Sequence, residues 1–562
     1  MTTEKPIAEI AGDKKLSRLL EKVVQEVREY AEDQLGRIRN LTDIGLALSS
    51  EKRIGRLLEM IVDEARRVAN ADAGTLYILD KKQHSLRFEI IQNDSMKIRK
   101  GGISGEAMDD LPSVPLYDAV GRPNHANVSS YVALTGKRIA IADVYQASEF
   151  EFSGTRKYDQ ATGYRSRSML VIPLADHENR IIGVLQLLNA MDPESGEVVP
   201  FPAGIVDLVA SLASQAAVAL NNARLIEDLQ KLFDSFIRAI ATAIDAKSPF
   251  TGGHIARVVE LTMEIARAVN QSDRDCFRDI RFSADELEEL RIAAWMHDIG
   301  KITTPEHLLS KTNKLEGLYD RIELVETRFA LIGQTWENAL LKQKMEILQS
   351  PEPPDRRRQL LDQLDDQWRQ QATELTEELE LLRRINADKQ QATETTVKQV
   401  QTIAEKKFRV NEEEHAYLSP QETACLSIIR GNLLEGERKI IEHHAEMTRR
   451  ITRELPFPER LEGVPEYAAG HHEKLDGSGY PLGLKAAEIP IQSRIIAIAD
   501  VFEALTARDR PYKSPMSISQ ALKILGFMKK DGHIDPDIYN LFVEKELYRD
   551  YSEKELDDRQ KS

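Results

Sequence analysis

The spacing of apolar residues changes repeatedly along the chain, and each change predicts a different element. From Leu16 to Asn70 the period is helical. Ile54, Leu57, Ile61, Ala65 and Val68 fall on one stripe, and Asn70-Ala-Asp-Ala-Gly74 is read as its end. Alternation at period two follows. Thr75 to Leu79 and Ser85 to Ile91 are predicted strands around a turn at Asp80-Lys-Lys-Gln83, and Ser168 to Leu174 is predicted to pair with Arg180 to Leu188 across Ala175–Asn179. A long helix is expected from about Pro202. Within its continuation Leu225, Leu229, Leu232, Phe236 and Ala239 recur at alternating steps of four and three, the seam of a coiled coil, so two copies are expected to zip together as a parallel homodimer.

The second half of the chain is helical in pattern. Leu287, Leu290 and Ala294 occupy one stripe that carries on to His297, Asp298 and Lys301, so polar groups stand where the core should be. From about Gly317 to Gln349, and again from Asp355 to Lys407, the helical period returns, broken by Ser350-Pro-Glu-Pro-Pro354. Leu361, Leu364, Trp368, Ala372, Leu375, Leu379 and Leu382 mark a second seam. This reads as an inserted antiparallel hairpin, with a plain spacer and a dimerisation or docking arm both open.

Composition narrows the class. A chain of 562 residues with 41% hydrophobic positions has room for roughly three or four compact units and is expected to be multidomain. Charged residues make up 30% and the net charge is -16, which disfavours nucleic-acid polymers and anionic membrane as partners. Cys276 and Cys425 stand alone, so neither a disulfide framework nor a cysteine zinc site is expected. The longest apolar helical run, Ile205 to Leu220, is interrupted by Asp207, Ser211, Ser214 and Gln215, and the opening residues carry no apolar segment. A soluble cytoplasmic protein is the expectation.

The candidate chemistry lies in isolated polar residues in core-type surroundings: His297-Asp298, His443-His444, His471-His472-Glu473, and Asp500 in the otherwise apolar Arg494–Phe502. Burying that many polar groups unpaired would cost several kcal/mol each, and a shared metal cluster removes the difficulty. Mixed imidazole and carboxylate ligation without cysteine suits iron, manganese, zinc or nickel.

Two family resemblances follow. Helix, strand pair, loops, a hairpin ending Ile182-Gly-Val-Leu-Gln-Leu-Leu-Asn189 and then a long helix resemble a GAF domain, which implies an unidentified small ligand. Asn189 is followed by Ala190, where cyclic-nucleotide-binding members have lysine, and the absence of cysteine here disfavours bilin attachment; dimer contact is the alternative use. Further on, His297-Asp-Ile-Gly-Lys301, His471-His-Glu473, Asp476-Gly-Ser-Gly-Tyr-Pro481 and Asp509-Arg-Pro-Tyr-Lys513 resemble the HD-GYP family, phosphodiesterases of the HD superfamily acting on cyclic di-GMP.

That resemblance implies metal ligands at His254, His297, Asp298, His444, His471, His472 and Asp500, with Asp298 bridging; His444 is preferred to His443 by its spacing to Thr448 and Ile451. It implies two divalent transition-metal ions, iron or manganese ahead of zinc or nickel, because Phe250 occupies the position where some members place a third-metal glutamate. Lys301 is placed near the cluster or on phosphate. Gly477, Gly479 and Tyr480 would face the substrate, Arg510 and Lys513 would hold phosphate, Glu473 and Asp476 would orient imidazoles, and His533 and Asp535 would be structural.

The expected fold is an α+β GAF-type domain, a coiled-coil helix, and an all-α HD-type domain with an inserted hairpin. Its boundaries are a helical segment at 1–36, the GAF-like domain at 37–224, the linker helix at 225–240, the HD-GYP part at 236–316 and 411–555, and the hairpin at 317–410. The expected activity is hydrolysis of cyclic di-GMP by a metal-activated water under control of the GAF domain. An HD phosphohydrolase for another cyclic dinucleotide and a catalytically silent nucleotide receptor are the alternatives.

Overall fold

A computed structural model describes residues 14–108, 111–247, 253–388, 392–411, 413–508 and 515–561. They fall into two units that divide between Leu232 and Phe233.

In the first unit, α1 (Lys14–Ser50) and α2 (Ile54–Ala69) are separate helices. The helical period expected from Leu16 to Asn70 is broken at Glu51-Lys-Arg53, where the Glu51 carboxylate accepts hydrogen bonds from the backbone N–H and guanidinium of Arg53. The stripe on α2 does what its spacing requires, since Leu57, Leu58, Ile61, Val62 and Ala65 are buried, each of the larger ones contributing about 1.5–3 kcal/mol. Asn70 takes a left-handed conformation, with φ of 44°, and stops the helix. The strand β1 (Ala71–Asp80) starts at once, earlier than the sequence pattern placed it, because Ala71 and Ala73 find partners in Ala190 and Leu188 of β7 (Ile181–Met191).

The remaining strands are β2 (Ser85–Asn93), β3 (Ile98–Gly101), β4 (Val114–Pro115), β5 (Ile139–Ile141), β6 (Met169–Ala175) and β8 (Val198–Val199), with α3 (Val128–Thr135) and α4 (Ser153–Thr162) between them. The sheet order is β3-β2-β1-β7-β6-β5, with β4 on β2 and β8 on β7, and the pairs are antiparallel. Both predicted hairpins form. Asp80 accepts from the amides of Lys82 and Gln83 in one turn, and Asp176 from those of Glu178 and Arg180 in the other. One apolar cluster joins the sheet to α1, α2 and α5 (Ala203–Lys247) through Leu48, Ile61, Leu76, Leu185, Leu212 and Ala216. A second cluster holds Tyr77, Val132, Ile141, Val171 and Val184. This is an α+β domain.

Among the described residues α5 is the one helix long and apolar enough to cross a membrane by length and composition. Its apolar stretch instead supplies Val209, Leu212, Ala213, Ala216, Ala217 and Leu220 to the buried core of the sheet. Farther along α5 the predicted seam residues Leu225, Leu229, Leu232 and Phe236 are half or more exposed.

The second unit is almost entirely helical, with α6 (His254–Asn270), α7 (Ala284–Met296), α8 (Glu306–Leu309), α9 (Ile322–Gln349), α10 (Pro354–Ala387) and α11 (Glu394–Glu405). A two-stranded ribbon of β9 (Lys407–Val410) and β10 (Glu413–Ala416) follows. Then come α12 (Pro420–Leu426), α13 (Glu435–Arg453), α14 (Val464–Ala469), α15 (Ile491–Thr506), α16 (Ile518–Lys530), α17 (Pro536–Glu544) and α18 (Arg549–Glu555). Val258, Leu290, Ala294, Ile495, Ile498, Phe502 and Phe542 form its main core.

The insertion is an antiparallel pair of α9 and α10, with Lys344 paired to Asp365 near the turn and Glu326 to Arg383 at the far end. Its second arm is shorter than expected. It ends at Ala387, and the stretch to Lys407 is taken by the separate α11, capped by the Thr393 hydroxyl accepting from the Thr396 amide. The seam closes inside the chain, because Leu375, Leu382 and Ile385 share a core with Val325, Phe329 and Ile332.

One buried carboxylate ties α2 to the loop after β3. Glu59 accepts from the amides of Ile103 at 2.6 Å and Ser104 at 2.5 Å, from the Ser104 hydroxyl at 2.9 Å, and from the Arg56 guanidinium at 2.9 Å. Burial alone would raise its pKa, but these donors outweigh burial and bring it to about 2. A carboxyl pKa depressed by folding stabilises the fold above the ordinary glutamate range and ceases to do so as pH falls through that range toward about 2. Glu59→Gln is therefore expected to destabilise the first unit by about 1–3 kcal/mol near neutral pH. In thermal melts the gap to the unmodified chain should narrow from about pH 5.5 to about pH 3. A gap independent of pH would contradict this account.

Candidate metal centre

The centre begins where α7 stops. His297 is the C-cap of α7, Asp298 follows, and Ile299–Thr303 forms a 3-10 turn. A side chain on Gly300 could not be accommodated, since its Cβ would lie 1.9 Å from the His444 carbonyl oxygen and 2.6 Å from the Thr448 nitrogen. The Thr448 hydroxyl donates to the His297 carbonyl at 2.9 Å and accepts the Gly300 amide at 3.0 Å. Helix α13, which carries His444, is thereby latched to the end of α7. On the other side the Lys247 ammonium, at the end of α5, donates to the carbonyls of Lys301 and Ile302.

The folding of these elements brings six of the predicted ligands into two groups, His254 with His297 and Asp298, and His444 with His471 and His472; each group offers three atoms close enough to hold one metal ion. Asp298 faces both. Its Oδ2 lies 3.6 Å from His254 Nε2 and 3.3 Å from His297 Nε2, while its Oδ1 lies 3.5 Å from His444 Nε2. Asp500 joins the first group, its Oδ1 being 3.3 Å from His254 Nε2 and 3.9 Å from His297 Nε2. His443 is exposed.

Three of the imidazoles are oriented in the same way. The Nδ1 of His297 lies 2.7 Å from the carbonyl of Ala294, that of His444 lies 2.6 Å from Ile441, and that of His471 lies 2.6 Å from Ala468, each carbonyl three residues back. A carbonyl can only accept, so Nδ1 carries the proton and Nε2 presents a lone pair to the centre. Among the described residues the Nε2 atoms of His297, His444 and His471 and the Oδ1 of Asp298 are buried without a hydrogen-bond partner. Lone pairs orphaned in this way, converging from a hard carboxylate and several imidazoles, fit divalent transition-metal ions.

The electrostatics divide along the same line. Burial and neighbouring imidazoles push His471 well below its ordinary pKa, burial and His444 push His472 to about 3, and burial lowers His444. Burial would lower His254 and His297 too, but the carboxylates of Glu503, Asp298 and Asp500 outweigh it, and both are raised. Burial would raise Asp298 and Asp500, yet the Lys301 ammonium and the His297 imidazole hold Asp298 well below the carboxylate range, and the His254 imidazole does the same for Asp500. Lys301 reaches Asp298 Oδ2 at 2.5 Å.

The second tier of expected residues behaves differently. Tyr480 lies beside the centre, its ring 4.8 Å from that of His472, and burial raises its hydroxyl pKa. Glu473 was expected to orient an imidazole; instead its two oxygens accept the amides of Leu482 at 2.7 Å and Leu484 at 2.9 Å, which shapes the loop that carries Tyr480. Asp476 accepts the Ser478 amide and lies 3.8 Å from His533, outside the cluster. Gly479 approaches its own chain, since a Cβ there would meet Lys474 N at 2.3 Å and Glu473 Cα at 2.5 Å, whereas Gly477 holds the left-handed turn with φ of 82°. Asp535 caps α17 and pairs with Arg494, in keeping with a structural place. Phe250, Arg510 and Lys513 lie outside the described residues.

The sequence reading missed Glu503. It stands three residues after Asp500 on α15, is fully buried, and meets His254 Nδ1 at 2.5 Å and Arg257 Nε at 2.8 Å. The available signal was an acidic residue at helical spacing from Asp500 in an otherwise apolar stretch.

Comparison with known proteins matches the family model for the GAF domain to residues 53–220, and two models for the HD domain to residues 251–385 and 369–538. The chain is 42% identical over 113 residues to the 3'3'-cGAMP-specific phosphodiesterase 1 of Vibrio cholerae, covering 20% of this chain and 25% of that protein. It is 46% identical over 94 residues to a "Probable cyclic di-GMP phosphodiesterase" of the same organism, covering 16% and 21%. To the cyclic di-GMP phosphodiesterase of Thermotoga maritima it is 36% identical over 130 residues, covering 23% and 34%. The matches thus span from about a fifth to about a third of these relatives. The chain carries a GAF domain followed by an HD domain, and within it resembles cyclic di-GMP and cGAMP phosphodiesterases of the HD superfamily.

Proposed function

We propose that this protein is a metal-dependent phosphodiesterase that hydrolyses a cyclic dinucleotide, with cyclic di-GMP as the first candidate substrate and 3'3'-cGAMP as the second. The observation that carries the reading is Asp298, one carboxylate whose two oxygens face two separate groups of imidazoles. His254, His297, Asp500 and one oxygen of Asp298 would hold one ion, and His444, His471, His472 and the other oxygen the second. Iron or manganese suits this donor set, as do zinc and nickel. When bound, a pair of such ions supplies an acidified water and neutralises charge on phosphate oxygens.

The chain's own groups supply the rest. Helix and turn carbonyls fix the tautomers of three imidazoles, so their lone pairs face inward before anything binds. Lys301, held at Asp298, is within the site and can donate to a phosphate oxygen once Asp298 is otherwise engaged. Tyr480 offers an aromatic face beside His472 on which a base can stack. Arg510 and Lys513 are assigned to phosphate by the family resemblance. The names of the relatives divide between cyclic di-GMP and cGAMP, and the test below takes both as substrates. The GAF domain is proposed to sense a small ligand, and the exposed seam of α5 to join two chains in parallel; a cytoplasmic setting accords with two isolated cysteines.

The test is metal analysis of purified protein followed by incubation with each cyclic dinucleotide and chromatography of the products. Near two ions per chain and a linear dinucleotide or mononucleotide product are expected. Metal-loaded protein that binds a cyclic dinucleotide but leaves it intact would favour the silent receptor instead.

Asp298→Ala is expected to abolish hydrolysis and lower metal content together. Arg510→Ala is expected to leave metal content unchanged while weakening turnover or affinity by about 1.5–3 kcal/mol, the range for a charged hydrogen bond. Wild-type hydrolysis by Arg510→Ala at limiting substrate would remove that residue from the substrate site. Replacing both Leu229 and Leu232 with glutamate should shift a dimer toward monomer in light scattering, and a monomeric unmodified chain at micromolar concentration would rule out the seam.

A further inference from the structure

The imidazoles of the centre are not all held alike. His297, His444 and His471 each follow a helical turn whose carbonyl accepts their Nδ1 proton, whereas His254 is the first residue of α6. Its Nδ1 instead meets Oε2 of Glu503 at 2.5 Å. The other carboxylate oxygen, Oε1, accepts from Arg257 Nε at 2.8 Å and lies 2.7 Å from Arg257 Nη2. Arg257 sits one position short of a full turn after His254 on α6, so α6 presents both donors to one fully buried carboxylate on α15.

We propose that Glu503, braced by Arg257, is the positioning residue that holds His254 with its Nε2 lone pair facing Asp298 and Asp500. A carboxylate can only accept, so Nδ1 keeps its proton and Nε2 is left free for the centre, the same result that the backbone carbonyls achieve for His297, His444 and His471. The division of labour between the oxygens matters. With Oε1 engaged by the guanidinium, Oε2 is fixed in direction and the imidazole ring cannot turn without breaking a charged hydrogen bond in the core. Helix α15 then contributes twice to one side of the centre, through Asp500 directly and through Glu503 one turn later by way of His254. The bland alternative is that Glu503 and Arg257 form a buried ion pair that merely ties α15 to α6.

This inference rests on the two-metal reading, and the experiment separates the two. Mn²⁺ affinity of the full chain would be measured by chelator competition for the unmodified protein, Glu503→Gln, His254→Ala and the double variant. The glutamine offers one acceptor oxygen to two donors, so Glu503→Gln is expected to weaken Mn²⁺ binding by about 10- to 100-fold, the range for loss of a partner that orients a ligand. In the His254→Ala background the same substitution should change affinity by less than about twofold, because its route to the metal is already gone. If Glu503→Gln does not fold, Glu503→Asp keeps the charge beside Arg257 while withdrawing the oxygen from His254, and the same coupled loss is expected. Unchanged affinity in the folded variant, or an equal further loss on top of His254→Ala, would overturn the assignment in favour of the plain ion pair. An unmodified chain that binds no Mn²⁺ would sink the two-metal reading itself, and this inference with it.

Discussion

The second unit depends on how it buries a cluster of groups that should resist burial. Asp298 is fully enclosed, ionised, and flanked by imidazoles whose inward nitrogens have no hydrogen-bond partner among the described residues. Leaving such groups dry and unpaired would cost several kcal/mol each, and they converge on one point where a common partner would satisfy them. Five helices converge for this purpose. Helix α6 brings His254, the end of α7 brings His297 and Asp298, α13 brings His444, the turn after α14 brings His471 and His472, and α15 brings Asp500.

The precision of the centre comes from backbone, with side chains filling the gaps. Three imidazoles borrow a carbonyl from their own helical turn, a solution that needs no further residue. Gly300 and Thr448 set the approach of α7 to α13, and that spacing places His444 against the second oxygen of Asp298. Glu473 bonds two amides of the following loop and so shapes the wall beside the centre.

What could be read from the chain follows the range of the forces involved. The α2 stripe, the two hairpins and the proline break between α9 and α10 are local, and period and turn chemistry reveal them. The adjacent polar pair His297-Asp298 in an apolar helix announced the centre, and the spacing argument chose His444, which lies with His471 and His472, over His443, which is exposed. The early start of β1 was hidden because its cause lies in β7, more than a hundred residues away. The end of α10 was likewise masked, because the helical period resumes in the separate α11 and runs on almost to Lys407. Glu503 was invisible as a partner of His254 because a helical glutamate ordinarily faces water, and only the packing of α15 on α6 makes it otherwise.

In the proposed centre one carboxylate, that of Asp298, would be shared by two ions. Anomalous diffraction from crystals of the metal-loaded protein tests it most directly. Two peaks are predicted, about 3.5–4 Å apart, one beside Oδ2 of Asp298 with His254 and His297 and the other beside Oδ1 with His444, His471 and His472. A single peak, or a pair that Asp298 does not span, would contradict it.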